Sequence, residues 1–181
     1  MKTIYLIRHC QAHGQHPDAP LTDEGRRQAD VLASCLAGRN IERIVSSTYA
    51  RAVSSVSPLA RQTRLSIDTD PRLCERILSG ENADHWMDML RRTFTDMDLS
   101  YPGGESSREA ADRGMSSISA LLERPETNIA VVTHGNLMSL ILNRFDDRFG
   151  YETWTKLTNP DVYELVLHGH QKDKAIRRIW T

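Results

Sequence analysis

The 181-residue chain balances 23 Lys and Arg against 24 Asp and Glu, a formal net charge of −1, which argues against a nucleic-acid or membrane-surface partner. Its length suits one domain spanning 1–181, able to bury roughly 70% of the surface its unfolded chain exposes, and no apolar stretch approaches the ~18 residues of a membrane span. Cys10, Cys35 and Cys74 make no disulfide framework and, with a first strand too close to Met1 to leave room for a signal peptide, lead to the expectation of a cytoplasmic protein.

The first element is a buried strand over Ile4-Tyr5-Leu6-Ile7, ended by Arg8-His9-Cys10. Thr22 then suits an N-cap, Asp23 and Glu24 suit the positive end of a helix dipole, and Ala29, Leu32, Ala33 and Leu36 recur at helical spacing until Gly38. The pattern predicts a strand over Ile41 to Ser47, a helix from Tyr49 to about Ala60, and a short strand near Leu65–Ile67. The stretch from Asp70 to Gly104 is less regular, with a helix over Ala83 to Thr95 and a Pro102-Gly103-Gly104 turn; about 72–103 reads as a small cap over a site. A helix follows over Ser106 to Leu122. Ile129-Ala130-Val131-Val132-Thr133 is a strand buried on both faces, Leu137 to Phe145 an apolar helix, and Val162–Leu167 with Ala175–Trp180 a closing hairpin. Strands alternating with helices mean α/β, a three-layer α/β/α arrangement around a mostly parallel central sheet.

In such sheets ligands bind beyond the carboxyl ends of the strands. Arg8-His9 follows the first strand, Ser46-Ser47 the second with Arg51 one turn on, and His134-Gly135-Asn136 follows the Ile129–Thr133 strand at a helix start. A helix N-terminus offers free N–H groups and a positive dipole end, guanidinium grips phosphate in a fork, and imidazole is a nucleophile or proton carrier near neutral pH. Two arginines, two histidines and a helix N-terminus at one sheet edge form a phosphate pocket.

In their order along the chain, Leu6-Ile7-Arg8-His9, Leu21-Thr22-Asp23-Glu24-Gly25, Ser46-Ser47 with Arg51-Ala52, Leu73-Cys74-Glu75, Pro102-Gly103-Gly104-Glu105-Ser106 and Val132-Thr133-His134-Gly135 resemble the histidine phosphatase superfamily, the phosphoglycerate mutase-like group. The resemblance implies that His9 is phosphorylated during turnover, that Arg8, Arg51 and His134 bind the phosphoryl group, and that Glu75 protonates the leaving alcohol and later activates water. It also implies that no metal is needed. Gln15 stands where the family often has a small polar phosphate contact, and Gly135 adds backbone N–H at the helix start. Neither a cofactor nor a metal is expected, and the partner is a small phosphorylated metabolite as substrate. The oligomeric state stays open.

Two departures from the family pattern stand out. Cys10 replaces the usual glycine after the nucleophile, so a side chain is expected at the pocket rim. After Glu75 the chain reads Arg76-Ile77-Leu78-Ser79-Gly80-Glu81 instead of the family's aromatic and glycines, which makes Glu81 and Glu105 fallback acids. Cys10 as a rival nucleophile would need an arginine six positions on, where His16 stands; as a structural residue it is small and partly buried. Metal ligation by His9, His13, His16, Cys10 and Asp18 matches no standard zinc spacing. His13 and His16 are expected at the pocket mouth, His85, His168 and His170 at the surface, and Trp86, Met87, Met89 and Leu90 in packing or at the entrance. The short segment between Glu75 and Pro102 favours a phosphatase over a mutase, which must shelter its intermediate from water. A phosphoglycerate mutase, a protein phosphohistidine phosphatase and a phosphate-binding pseudoenzyme are the alternatives.

Overall fold

The computed structural model describes residues 1–168 and 173–180, with the backbone alone at His168 and Asp173. The strands are β1 (Lys2–Arg8), β2 (Arg43–Ser46), β3 (Ile67–Thr69), β4 (Asn128–Thr133), β5 (Asp161–His168) and β6 (Asp173–Arg178). The α-helices are α1 (Asp23–Leu36), α2 (Ala50–Thr63), α3 (Trp86–Thr95), α4 (Ser107–Leu122), α5 (Gly135–Phe145) and α6 (Tyr151–Thr155). The strands form one sheet in the order β3-β2-β4-β1-β5-β6. β3, β2, β4 and β1 run parallel to one another, while β5, antiparallel to β1, and β6 add an antiparallel edge.

Period-two alternation explains the layers. Ile4 and Leu6 of β1, with Ile129 and Val131 of β4, enter a core that includes Leu137, Leu140 and Ile141 of α5 and Ile118 of α4. Tyr5 and Ile7, with Ala130 and Val132, enter the opposite core with Leu32 and Leu36 of α1 and Val56 and Leu59 of α2. Both faces of the sheet are therefore covered, the condition under which parallel strands read as continuous apolar runs. Each fully buried Leu or Ile contributes roughly 1.5–3 kcal/mol, so these two cores supply most of the drive that holds the strand ends in register.

The cap expected at Thr22 is formed, and a second cap opens α4. Thr22 Oγ1 accepts from Gly25 N–H at 2.9 Å, and a capping box joins Ser106 to Glu109, each cap contributing about 1 kcal/mol. Several boundaries differ from the sequence expectation. The strand placed at Leu65–Ile67 lies at Ile67–Thr69, because Leu65 still belongs to the helix stop: Arg64 is left-handed (φ 57°) and Leu65 N–H returns to Ala60 carbonyl. The second strand begins at Arg43, not Ile41, and α3 begins at Trp86, not Ala83. α5 starts two residues before Leu137, and α6 was not anticipated. His85, Trp86 and Met87 are exposed, whereas Met89 and Leu90 are buried. His170 and the side chain of His168 lie outside the described residues. Among those residues no helix is long and apolar enough to cross a membrane.

The segment between Glu75 and Ser106 folds back on itself beside the strand ends. Gly80 N–H donates to Pro102 carbonyl (2.8 Å) and Glu105 N–H to Ile77 carbonyl (2.9 Å). Gly103 takes a left-handed φ of 75°. A Cβ on Gly104 would collide with the carbonyls of Leu78 and Ile77, which is why this turn carries paired glycines.

Candidate active site

Four side chains meet where β1, β2 and β4 end. His9 leaves β1 with its N–H on Thr133 carbonyl (3.1 Å) and its own carbonyl held by Asn159 Nδ2 (2.8 Å). Its ring is only 8% exposed. Nδ1 lies 2.6 Å from Cys10 carbonyl; a carbonyl can only accept, so Nδ1 carries the proton and Nε2 presents its lone pair. Nε2 accepts from Arg51 Nε at 3.2 Å. Burial first, then the charges of Arg51 and Arg8, push the His9 imidazole down to about pKa 4, against the opposing Cys10 bond. A neutral ring whose Nε2 is unprotonated is the nucleophilic form, available once Arg51 turns from it to an anion.

Arg51, 1% exposed, is aimed by the carbonyls of Gln15 (3.1 Å) and His16 (2.9 Å) and by the Tyr49 ring, 4.9 Å from its guanidinium carbon. Arg8 Nη1 donates to Leu157 carbonyl (3.0 Å) and, at 3.3 Å, to that of Thr158, while its guanidinium lies flat on Gly135, where an added Cβ would come within 3.0–3.2 Å of it. His134 is fully buried, shares a 2.8 Å hydrogen bond with Ser47 Oγ, and meets the His9 ring edge-on at 5.0 Å. Burial and the neighbouring His9, Arg51 and Arg8 hold it well below the ordinary histidine range. Arg8 Nε, His134 Nδ1 and both amide atoms of Asn136 are buried without a hydrogen-bond partner in the protein. Buried polar groups are rarely left so; of these, Arg8 Nε is an unspent donor of a kind that suits an oxyanion.

Glu75 sits at the start of α5. Its carboxylate accepts from the N–H groups of Asn136 (3.0 Å), Leu137 (3.0 Å) and Arg76 (2.9 Å), so it caps the helix whose dipole faces the site. The backbone around it is pinned by Thr133 Oγ1 on Leu73 carbonyl (2.7 Å) and by Arg113 Nη1 on Arg72 and Cys74 carbonyls (2.7 and 3.0 Å). Of the fallback carboxylates, Glu105 is paired with Arg113 (2.5 Å) and Glu81 is exposed. A cleft of about 420 Å³ opens beside Glu75, walled by Tyr49, Cys74, Ile77, Glu105 and Arg113.

The structure brings together Arg8, His9, Arg51, Glu75, His134 and Gly135. Gln15 contributes its carbonyl to Arg51, while its side chain is exposed. Cys10 does not line a rim: it is fully buried in the core shared with α1 and α2, its N–H on Ser55 Oγ (2.8 Å), and burial raises the thiol to about pKa 11. That corrects the expectation of a partly buried residue: Cys10 joins the core of Tyr5 and Ile7, so the alternation of β1 is broken after Arg8, where Ser55 of α2 ties down the Cys10 backbone. His13 and His16 are exposed in the loop whose carbonyls hold Arg51. Among the described residues no group of three or more His, Cys, Asp or Glu is placed to hold a metal. Sequence reading missed Asn159, Tyr49, Arg113 and Arg76; a Tyr one residue before the α2 start and an Asn before Pro160 were the only local signals.

The family model of the histidine phosphatase superfamily (branch 1) matches residues 4–179. The chain belongs to that superfamily. Among its relatives, the probable phosphoglycerate mutase GpmB of Proteus mirabilis (strain HI4320) is 30% identical, the match covering 79% of this chain and 74% of that protein. The fold is shared with a mycobacterial glucosyl-3-phosphoglycerate phosphatase (TM-score 0.76, 23% identity, 98% of this chain and 97% of the other). It is shared as well with a phosphoglycerate mutase from Bacillus anthracis str. Sterne (TM-score 0.78, 17% identity, 98% and 92%). This superfamily member thus has phosphatase and mutase neighbours alike.

Proposed function

We propose that this histidine phosphatase superfamily member is a phosphomonoester phosphatase working through a phosphohistidine on His9. One observation carries the reading: His9 has its Nδ1 proton fixed on Cys10 carbonyl and turns a neutral Nε2 toward Arg51. In the first step Nε2 attacks phosphorus, the bond to the leaving oxygen breaks, and Glu75, entering as the acid, gives that oxygen its proton. In the second, Glu75 as carboxylate takes a proton from water, whose oxygen attacks phosphorus and releases His9 and phosphate. Arg8 and Arg51 neutralise the equatorial oxygens, the largest contribution in this chemistry, and the neutral His134 adds a hydrogen bond. The guanidiniums supply the charge, so full activity is expected with a chelator present.

The test is hydrolysis of p-nitrophenyl phosphate together with acid and alkali stability of the labelled enzyme. Wild type should turn over and trap an acid-labile, alkali-stable phosphoryl group, and His9→Ala should do neither. Equal rates for the two proteins would overturn the reading. The mutase alternative is favoured by the relationship to the Proteus mirabilis protein; interconversion of phosphoglycerates without release of inorganic phosphate would establish it instead.

A further inference from the structure

Glu75, read above as the acid for the leaving oxygen, lines the cleft, so the part of the substrate beyond the phosphoryl group extends into it. Its hydrogen-bonding character is lopsided. Arg113 is its cation, but Nε and Nη2 are given to the two Glu105 oxygens (3.2 and 2.5 Å) and Nη1 to the carbonyls of Arg72 and Cys74. The second nearby guanidinium, Arg76, is 6% exposed and equally spent: Nε and Nη2 on Glu105 carbonyl (3.0 and 2.8 Å), Nη1 on Thr93 and Ser107 hydroxyls (2.7 and 3.3 Å). Each thus has four of its five hydrogens committed to protein oxygens. Acceptors are the reverse. A carboxylate has about four lone-pair sites, so Glu105 keeps accepting capacity after binding Arg113, and it lines the cleft. Tyr49 and the exposed Ile77 add apolar faces.

We infer that the substrate's leaving group is an uncharged, hydroxyl-bearing alcohol, and that a leaving group carrying a carboxylate is selected against. A hydroxyl can donate to Glu105, with its carbon skeleton on Tyr49 and Ile77. A carboxylate would face Glu105 and find no uncommitted fork, and an interface that juxtaposes like charges discriminates by repulsion as well as attraction. This inference rests on the phosphatase reading above and names the class of substrate for it.

A matched pair of substrates decides it. Glycerol 2-phosphate and 2-phosphoglycerate share one skeleton and differ by a hydroxymethyl against a carboxylate. Wild type should show kcat/KM about tenfold or more in favour of glycerol 2-phosphate. Glu105→Gln, which releases Arg113 from its partner, should narrow that ratio by about threefold or more through improved use of 2-phosphoglycerate. A residue that only braced the fold would lower both rates and leave the ratio unmoved. Hydrolysis of p-nitrophenyl phosphate with equal or better use of 2-phosphoglycerate overturns the inference while leaving the phosphatase reading intact. No hydrolysis of any of the three removes the phosphatase reading and the inference with it. Should Glu105→Gln fail to fold, the wild-type ratio alone decides.

Discussion

Lowering the pH from 7.5 to 4 should destabilise the wild-type protein more than a His9→Asn variant, and the size follows from the burial of that ring. His9 titrates near 4 in the folded protein against an ordinary value of 6.5. Between those two values the unfolded chain holds a proton on this imidazole that the folded chain lacks, so stability falls as pH falls, with a slope of at most about 1.4 kcal/mol per pH unit. Integrated, the loss is about 2 kcal/mol at pH 5 and about 3 kcal/mol at pH 4, with nearly none above pH 7.5. Asn keeps a short polar side chain at the position but does not titrate. His134 is present in both proteins and is itself held down in part by His9, so the difference between their pH profiles reports His9 together with its coupling to His134. Urea denaturation followed by tryptophan fluorescence at pH 7.5, 6, 5 and 4 reads it, provided the slope with urea is the same for both. Parallel profiles for the two proteins would show that His9 is not held neutral by its surroundings, and the argument for a ready nucleophile would fall.

Two further outcomes follow from the packing. Gly135→Ala places a methyl against the Arg8 guanidinium; Arg8 can shift, so stability should change by less than about 1 kcal/mol, while KM for p-nitrophenyl phosphate should rise about fivefold or more, and an unchanged KM would separate Arg8 from phosphate binding. Cys10, fully buried with its thiol near 11, should resist a thiol reagent at pH 7.5 in the folded protein and react only after unfolding, as mass spectrometry of the labelled peptides would record; rapid labelling of native Cys10 would contradict its placement in the core.

What the sequence disclosed depended on how local the cause was. β4 was legible because Ile129 to Val132 are apolar without a break, the mark of burial on both faces. β3 was misplaced because it is an edge strand whose last residues, Asp68 and Thr69, are polar, while the apolar Leu65 still serves the end of α2. Arg8, His9 and His134 could be picked out since each stands at or just past the end of a strand of recognisable pattern, and Arg51 since it opens the helix after another. Asn159 could not: its amide meets the His9 carbonyl across 150 residues of sequence, and no spacing rule reaches that far. The inward turn of Cys10 was likewise invisible, because it depends on Ser55 reaching from α2.

The loop ahead of β5 gives the last fifth of the chain a part in the proposed site that its residue types do not advertise. Leu157 and Thr158 carbonyls orient Arg8, Asn159 holds the His9 carbonyl, and the buried Asp161 secures the loop by accepting from Thr158 N–H (3.0 Å) and Arg178 (2.6 Å). A fragment ending at Phe145 would keep every side chain named for catalysis and lose the mount on which two of them are aimed. Functional residues and functional module therefore have different borders here: the first close with α5, the second only with the final strand.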